Sequence, residues 1–86
     1  MNKIILYTLS TCPWCRKAKK FFLERNIYFD FIDYDLEDEQ TQERIVDEME
    51  QHKASAFPFA LINGKSVEGY NPERYASLLG LHKQTA

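Results

Sequence analysis

The chain has 86 residues, of which 44% are hydrophobic and 28% are charged, and its formal net charge is −2. Such values are typical of one soluble globular domain, so we expect a single domain over residues 1–86, with its core in 3–80 and a frayed tail at 82–86. No apolar run approaches the length of a membrane span, and the slightly negative charge argues against general nucleic-acid binding.

The first predicted elements are a strand, a helix and a second strand. Residues 3–7 (Lys-Ile-Ile-Leu-Tyr) form an almost continuous apolar run, the pattern of a strand buried on both faces. From Pro13 to about Asn26 the apolar residues recur at helical spacing. Residues 27–34 are rich in aromatic and β-branched side chains, which favours a second strand. This order predicts a right-handed βαβ unit with parallel strands.

A second helix is predicted from about Asp38 to His52. Acidic residues occupy its first turns, and its apolar face consists of Ile45, Val46 and Met49. We interpret the many acids of this segment as a solvated face.

The last part of the chain predicts a hairpin followed by a helix. Residues 57–62 and 65–68 are strand-like and flank Asn63-Gly64, a pair that tolerates the positive φ angles of a type I′ turn. Asn71 is the predicted N-cap of the last helix, and Pro72 is its first residue. The complete element order is βαβαββα. We expect three side chains of the last helix to face inward, namely Tyr75, Leu78 and Leu79. Gly80 is the predicted C-terminal stop of this helix.

The only two cysteines lie in Cys12-Pro13-Trp14-Cys15, at the predicted start of the first helix. Thiol–disulfide exchange needs one thiolate that attacks and a second thiol that resolves the mixed disulfide. At a helix N-terminus, backbone N–H groups and the helix dipole favour a thiolate, and Pro13 fits the first helical position. We therefore predict that Cys12 is the N-cap and the exposed nucleophile, and that Cys15 is the resolving thiol.

Two other interpretations of the cysteine pair fit less well. A zinc site normally needs four ligands, but the chain has no third cysteine, and His52 and His82 lack ligand spacing. A structural disulfide gains most when it closes a long loop, whereas this pair would close a small ring. We expect a cytosolic protein, because the chain starts without a signal-peptide pattern and cysteine pairs in reducing compartments are usually catalytic.

A cluster of cations follows the cysteine pair, and it consists of Arg16, Lys17, Lys19 and Lys20. Cations near Cys12 favour its thiolate and attract an acidic partner. We expect most of these side chains to point to solvent, so that their effect on the thiolate is modest. Arg16 is equally consistent with a solvated side chain and with a role near the site, where it would stabilise the Cys12 thiolate or bind a carboxylate of a partner.

The sequence resembles the glutaredoxin branch of the thioredoxin superfamily over nearly its whole length. Residues 7–15, 56–58 (Ala-Phe-Pro) and 63–69 carry the resemblance. It implies an α/β, thioredoxin-like fold with a four-stranded mixed sheet flanked by three helices. It also implies that Pro58 follows a cis peptide bond beside the cysteines. The N–H and C=O groups of Phe57 would then bind the backbone of a substrate peptide or of glutathione.

Side chains around the cysteine pair form the predicted substrate-binding surface. We expect Trp14 to be exposed, where its flat apolar ring offers a docking surface for a partner. The side chain of Phe57 has two equally weighted interpretations, core packing and a place in the substrate groove. The predicted substrate-binding residues are Pro13, Trp14, Phe57, Pro58, Gly69, Tyr70 and Asn71.

The chain departs from the glutathione-using members of this family at two places. They commonly carry a lysine where this chain has Leu9, and Gly-Gly followed by acids where it has Glu68-Gly69-Tyr70-Asn71. Losing a cation and the acids weakens the grip on a charged tripeptide. The segment from Gly69 to Pro72 instead resembles the glutaredoxin-like hydrogen donors of ribonucleotide reductase, which thioredoxin reductase recharges.

Together, the residues and the resemblance predict a small dithiol–disulfide oxidoreductase that works as a monomeric electron carrier. Its expected substrates are protein disulfides and mixed disulfides; ribonucleotide reductase is one candidate target, and the sequence leaves the choice of target open. We expect no metal and no tightly bound cofactor, and either glutathione or thioredoxin reductase as the reductant. The alternative is a protein that binds or carries an iron–sulfur cluster through Cys12, although Pro13 stiffens the loop.

Overall fold

The protein, seen in a computed structural model that describes residues 2–81, is built on one mixed four-stranded sheet. The predicted tail at 82–86 lies outside the described residues. The strands are β1 (Ile4–Thr8), β2 (Asp30–Asp33), β3 (Phe59–Ile62) and β4 (Lys65–Glu68). The helices are α1 (Pro13–Glu24), α2 (Glu39–Gln51) and α3 (Pro72–Leu78), and a 3-10 turn lies at Tyr34–Leu36.

The strand order in the sheet is β2-β1-β3-β4. β1 pairs parallel to β2, as the βαβ unit predicts, and antiparallel to β3. β3 and β4 form the predicted hairpin, whose turn residues Asn63 and Gly64 have φ angles of 52° and 86°. These positive angles are the ones that an Asn-Gly turn supplies at low cost. The predicted thioredoxin-like architecture is confirmed.

One face of the sheet packs against α1 and α3. Because side chains alternate along a strand, Ile4 and Leu6 of β1 point to this face, together with Ala60 and Ile62 of β3. Aromatic rings of the two helices complete the layer, with the ring centroids of Phe22 and Tyr75 5.2 Å apart. All of these side chains are buried.

The opposite face of the sheet packs against α2. Tyr7 and Phe59, which are paired across β1 and β3, stack at 5.9 Å between ring centroids. They contact Ile45 and Met49 of the helix. The third side chain of the predicted apolar face, Val46, is 37% exposed. That prediction is wrong for Val46 because α2 meets the sheet through a narrower stripe.

The second and third strands are shorter than predicted. The Ile27 N–H donates to the Phe22 carbonyl (3.0 Å), and Asn26 has a φ of 55°, so the residues after α1 form its left-handed terminus instead of starting a strand. β2 therefore begins at Asp30. β3 begins at Phe59, two residues after the predicted start, because residues 56–58 form a bend.

Within residues 2–81, no helix combines the length and the apolar character that crossing a bilayer requires. The longest helix, α2, has 13 residues and an acidic surface.

Candidate active site

Cys12 caps the N-terminus of α1, as predicted. Its backbone is extended (φ −88°, ψ 119°), and its Sγ accepts a hydrogen bond from the Cys15 N–H at 3.3 Å. Pro13, the first helical residue, has no N–H that needs a partner. The Cys12 sulfur therefore lies on the positive end of the helix dipole, where negative charge is stabilised. The residue is partly exposed, so a substrate disulfide can reach it.

Cys15 lies one turn further along α1 and is fully buried. Its Sγ accepts a hydrogen bond from the Leu9 N–H at 3.4 Å. The pKa of the Cys15 thiol is raised to about 12, mainly by burial and next by its hydrogen bond with the Cys12 side chain. The two sulfurs are thus in different environments, one open to solvent at a helix N-terminus and one enclosed and protonated.

This difference predicts selective alkylation of the reduced protein. An ordinary cysteine has a pKa of about 8.5, and a raised pKa keeps Cys15 protonated at neutral and mildly alkaline pH. Between about pH 7 and pH 9, iodoacetamide should therefore label Cys12 and leave Cys15 unlabelled, because the thiolate is the nucleophile. Peptide mapping by mass spectrometry gives the labelled residue, and the urea-denatured protein, which should label at both cysteines, is the control. Comparable labelling of Cys15 in the folded protein would contradict this assignment.

The Phe57–Pro58 segment lies at the same end of the sheet as the cysteine loop. Tyr7 pairs with Phe59, so Phe57 and Pro58 come just beyond the end of β1, where the chain turns towards Cys12. The Phe57–Pro58 peptide bond is cis. In residues 2–81, the backbone hydrogen bonds leave the Phe57 N–H and C=O without a partner. Both groups are therefore available to the backbone of a bound peptide.

Gly69 and Tyr70 approach the cysteine loop from the other side. The Gly69 N–H donates to the Pro58 carbonyl at 2.7 Å, which joins the end of β4 to the cis peptide segment. The half-buried ring of Tyr70 lies 6.0 Å from the ring of Trp14, between centroids. Trp14 is 55% exposed, in agreement with the expectation for its ring. The fold therefore brings together three segments that are distant in sequence.

Two of the predicted binding residues also have structural partners. The Phe57 ring packs against Tyr34, with 5.3 Å between ring centroids, and against the α2 side of the core, which favours core packing over the groove. Asn71 caps α3, because its Oδ1 accepts a hydrogen bond from the Arg74 N–H at 3.1 Å. Close by, the Tyr75 hydroxyl donates to the Gly69 carbonyl at 3.1 Å.

A partly buried polar network lies beside α1 and was not foreseen from the sequence. The fully buried Thr8 donates a hydrogen bond to the carboxylate of Asp33, which forms an ion pair with Lys19 at 3.2 Å. Lys19 is thus the exception to the expectation that this cluster points to solvent, since its side chain is only 22% exposed. It lies one turn after Cys15, and its charge lowers the Cys15 pKa, against the larger effect of burial.

The signal for this network was present in the sequence but weak. Residues four apart on a helix share a face, which places Lys19 beside Cys15, and Asp33 is opposite Thr8 in the parallel register. The Thr8–Asp33 pair can be predicted only when the register of β1 and β2 is known, and the sequence does not specify that register. A second set of polar contacts holds the loop before Cys12, because the Ser10 hydroxyl and the Ser10 N–H (2.8 Å) both donate to the Asp35 carboxylate. The hydroxyl first and the N–H second lower the pKa of Asp35.

Among residues 2–81, no three histidine, cysteine, aspartate or glutamate side chains come together as a metal-binding group.

Comparison with known proteins gives the family. A sequence profile of the glutaredoxin family matches residues 4–67. An uncharacterized glutaredoxin-like 8.6 kDa protein in the rubredoxin operon of Clostridium pasteurianum is 30% identical over 76 residues, which are 88% of this chain and 96% of that protein.

Solved structures agree with this match. The glutaredoxin of Methanosarcina mazei Go1 superposes with a TM-score of 0.83 at 32% identity, covering 91% of this chain and 78% of that one. The glutaredoxin-like NrdH-redoxin of Escherichia coli shares the fold, with a TM-score of 0.72 at 20% identity over 95% of this chain and 97% of that one. With its cysteine pair at the start of the first helix, this chain belongs to the glutaredoxin family of the thioredoxin superfamily.

Proposed function

We propose that the protein is a dithiol–disulfide oxidoreductase that carries electrons to protein disulfides and mixed disulfides. The observation that carries the proposal is the asymmetry of the cysteine pair: Cys12 is partly exposed at a helix N-terminus, and Cys15 is buried one turn behind it. Membership of the glutaredoxin family supports the same general activity. We further propose a cytoplasmic location, where a reduced pair is maintained.

The proposed reaction has two exchange steps. The Cys12 thiolate attacks one sulfur of the substrate disulfide, forms a mixed disulfide and releases the other sulfur as a thiolate, which takes up a proton. Cys15 then loses its proton and attacks the Cys12 sulfur. This closes the Cys12–Cys15 disulfide and releases the second substrate thiol. Two electrons and two protons pass to the substrate, and a reductant returns them.

The second step requires that the buried thiol of Cys15 ionise. Two interactions act in that direction, because the Leu9 N–H and the charge of Lys19 both lower the Cys15 pKa. Neither contact involves Cys12, so both persist once Cys12 is held in the mixed disulfide. The free N–H and C=O of Phe57 are the proposed clamp that aligns the substrate backbone for both steps, by strand-like pairing.

For the reductant we propose thioredoxin reductase in preference to glutathione. Leu9 supplies no cation, and the residues at the positions of the usual glycine and acids are engaged elsewhere. Asn71 caps α3, and the Glu68 carboxylate accepts a hydrogen bond from the Ser55 N–H at 3.0 Å. With these side chains occupied, the charged ends of glutathione lose strong partners. Ribonucleotide reductase is a candidate substrate for an electron carrier of this kind.

The test is a coupled assay of NADPH oxidation with hydroxyethyl disulfide as the substrate and two alternative recharging systems. We expect turnover with thioredoxin reductase and little with glutathione plus glutathione reductase. Turnover with the glutathione system and not with thioredoxin reductase would support the oxidoreductase function but contradict the choice of thioredoxin reductase as the reductant. A protein that reduces no disulfide and purifies coloured under nitrogen would replace this proposal by the cluster-binding alternative.

A further inference from the structure

A basic groove runs away from the active site along one face of α1. It has a volume of about 290 Å³ and is lined by Lys17, Lys20, Phe21, Glu24, Arg25 and Tyr70. Residues three and four apart on a helix share a face, so this groove continues the line that starts at Trp14, between the two cysteines. Two of its lining residues, Lys17 and Tyr70, lie against the Trp14 ring, so the groove begins next to the cysteine loop.

Two of the three cations of the groove lie against aromatic rings. The Lys17 ammonium lies 4.8 Å from the centre of the Trp14 ring. The Arg25 guanidinium lies 3.8 Å from the centre of the Phe21 ring and donates to the Phe21 carbonyl at 3.0 Å. Such contacts reduce the side-chain entropy that binding would otherwise remove. The groove is thus a pre-ordered cationic surface with one anion, Glu24, which contacts Lys20 at 3.7 Å.

The opposite side of the sheet carries the reverse charge. The surface of α2 exposes a row of acids and lines its own shallow depression with Glu39, Glu43 and Asp47. α1 and α2 lie on opposite faces of the sheet, so an anionic segment is attracted to one side of the active site and repelled from the other. Opposed potentials of this kind set the direction in which a partner docks.

We propose that this groove binds an acidic segment of the substrate polypeptide that is adjacent in sequence to the cysteine attacked by Cys12. The inference rests on the proposed oxidoreductase function and adds the class of protein substrate. From Trp14 to Arg25 the helix rises about 16 Å, a distance that about five extended residues span. The occupant is therefore a short run of aspartates and glutamates lying along Lys17, Lys20 and Arg25.

The experiment measures how fast pre-reduced protein is oxidised by model disulfide peptides, so no recharging enzyme is needed. The peptides contain one disulfide with about five glutamates before it or after it, and the matched peptides carry serines there. Trp14, the only tryptophan, reports oxidation by its fluorescence. Added anionic charge by itself slows attack by a thiolate, so faster oxidation by a glutamate peptide is diagnostic.

We expect one of the glutamate peptides to react about tenfold faster than its serine match at low ionic strength. The preference should disappear at high salt and in the Lys17→Ser/Lys20→Ser variant. The matched control is Lys3→Ser/Lys65→Ser, which removes the same charge from exposed positions at the far end of the sheet and should keep the preference.

Three outcomes would overturn the inference. In the first, both glutamate peptides react no faster than their serine matches. In the second, the preference for glutamate survives the Lys17→Ser/Lys20→Ser change. In the third, a single-stranded oligonucleotide inhibits more than poly-glutamate of equal charge, which would indicate that the groove binds nucleic acid. Oxidation by hydroxyethyl disulfide separates failure of the groove proposal from failure of the proposed oxidoreductase function. A protein that this small uncharged disulfide does not oxidise refutes the proposed function itself.

Discussion

Replacing Cys12 by serine should abolish disulfide reduction, with a loss of at least about a thousandfold in kcat/KM. The hydroxyl of serine is not ionised at neutral pH, and the only other cysteine, Cys15, is fully buried and cannot take over. The coupled assay with hydroxyethyl disulfide measures the loss. Circular dichroism checks that the variant is folded, as expected for a serine that can still cap α1. Retained activity would mean that Cys12 is not the nucleophile.

Replacing Cys15 by serine separates the two exchange steps. Cys12 can still attack, but nothing inside the protein resolves the mixed disulfide. The variant should therefore accumulate a covalent complex with a protein disulfide substrate, visible on a non-reducing gel and released by dithiothreitol. The Cys12→Ser variant is the matched control and should form no complex. Complex formation by Cys12→Ser and not by Cys15→Ser would reverse the two roles.

Tyr75→Ala should lower the free energy of unfolding by about 3–5 kcal/mol. Tyr75 of α3 is fully buried against α1, where its ring lies 5.3 Å from Phe21 and 5.2 Å from Phe22, between centroids. Removing the ring leaves a cavity in the main core cluster, and the total free energy of unfolding of such a domain is only about 5–15 kcal/mol. Urea unfolding measured by circular dichroism gives the change.

Two further variants make this prediction specific. Tyr75→Phe keeps the ring but leaves the Gly69 carbonyl without its hydrogen bond, and it should cost about 1 kcal/mol. Tyr28→Ala removes a ring that is 78% exposed and should change the unfolding free energy by less than about 0.5 kcal/mol. Equal losses for Tyr75→Ala and Tyr28→Ala would mean that Tyr75 does not hold the core.

The sequence predicted those parts of the site that depend on neighbouring residues. The capping role of Cys12, the Asn63-Gly64 turn and the Asn71 cap each follow from the chemistry of a few adjacent residues, and the structure has all three. The ends of β2 and β3 were less well predicted. Apolar and aromatic residues precede both strands, at 27–29 and at Phe57, while hydrogen bonding at Ile27 and the bend at residues 56–58 decide where pairing begins.

Lys19 shows where reasoning from the sequence stops. Its position in a cluster of four cations favoured a solvated side chain, and only the parallel register of β1 and β2 places Asp33 within 3.2 Å of it. The Phe57 side chain is a second case, because its contact with Tyr34 depends on how α2 packs on the sheet.

By itself, the sequence determined the order of the elements, the helix-capping cysteine pair and the hairpin turn, since periodicity, caps and turns are fixed over a few residues. Only the tertiary structure decided that Trp14 meets Tyr70, that Gly69 bonds to Pro58, and that the cations of α1 form a groove. These contacts join residues that are far apart along the chain. Their geometry depends on strand register and on helix packing, which the whole core sets at once.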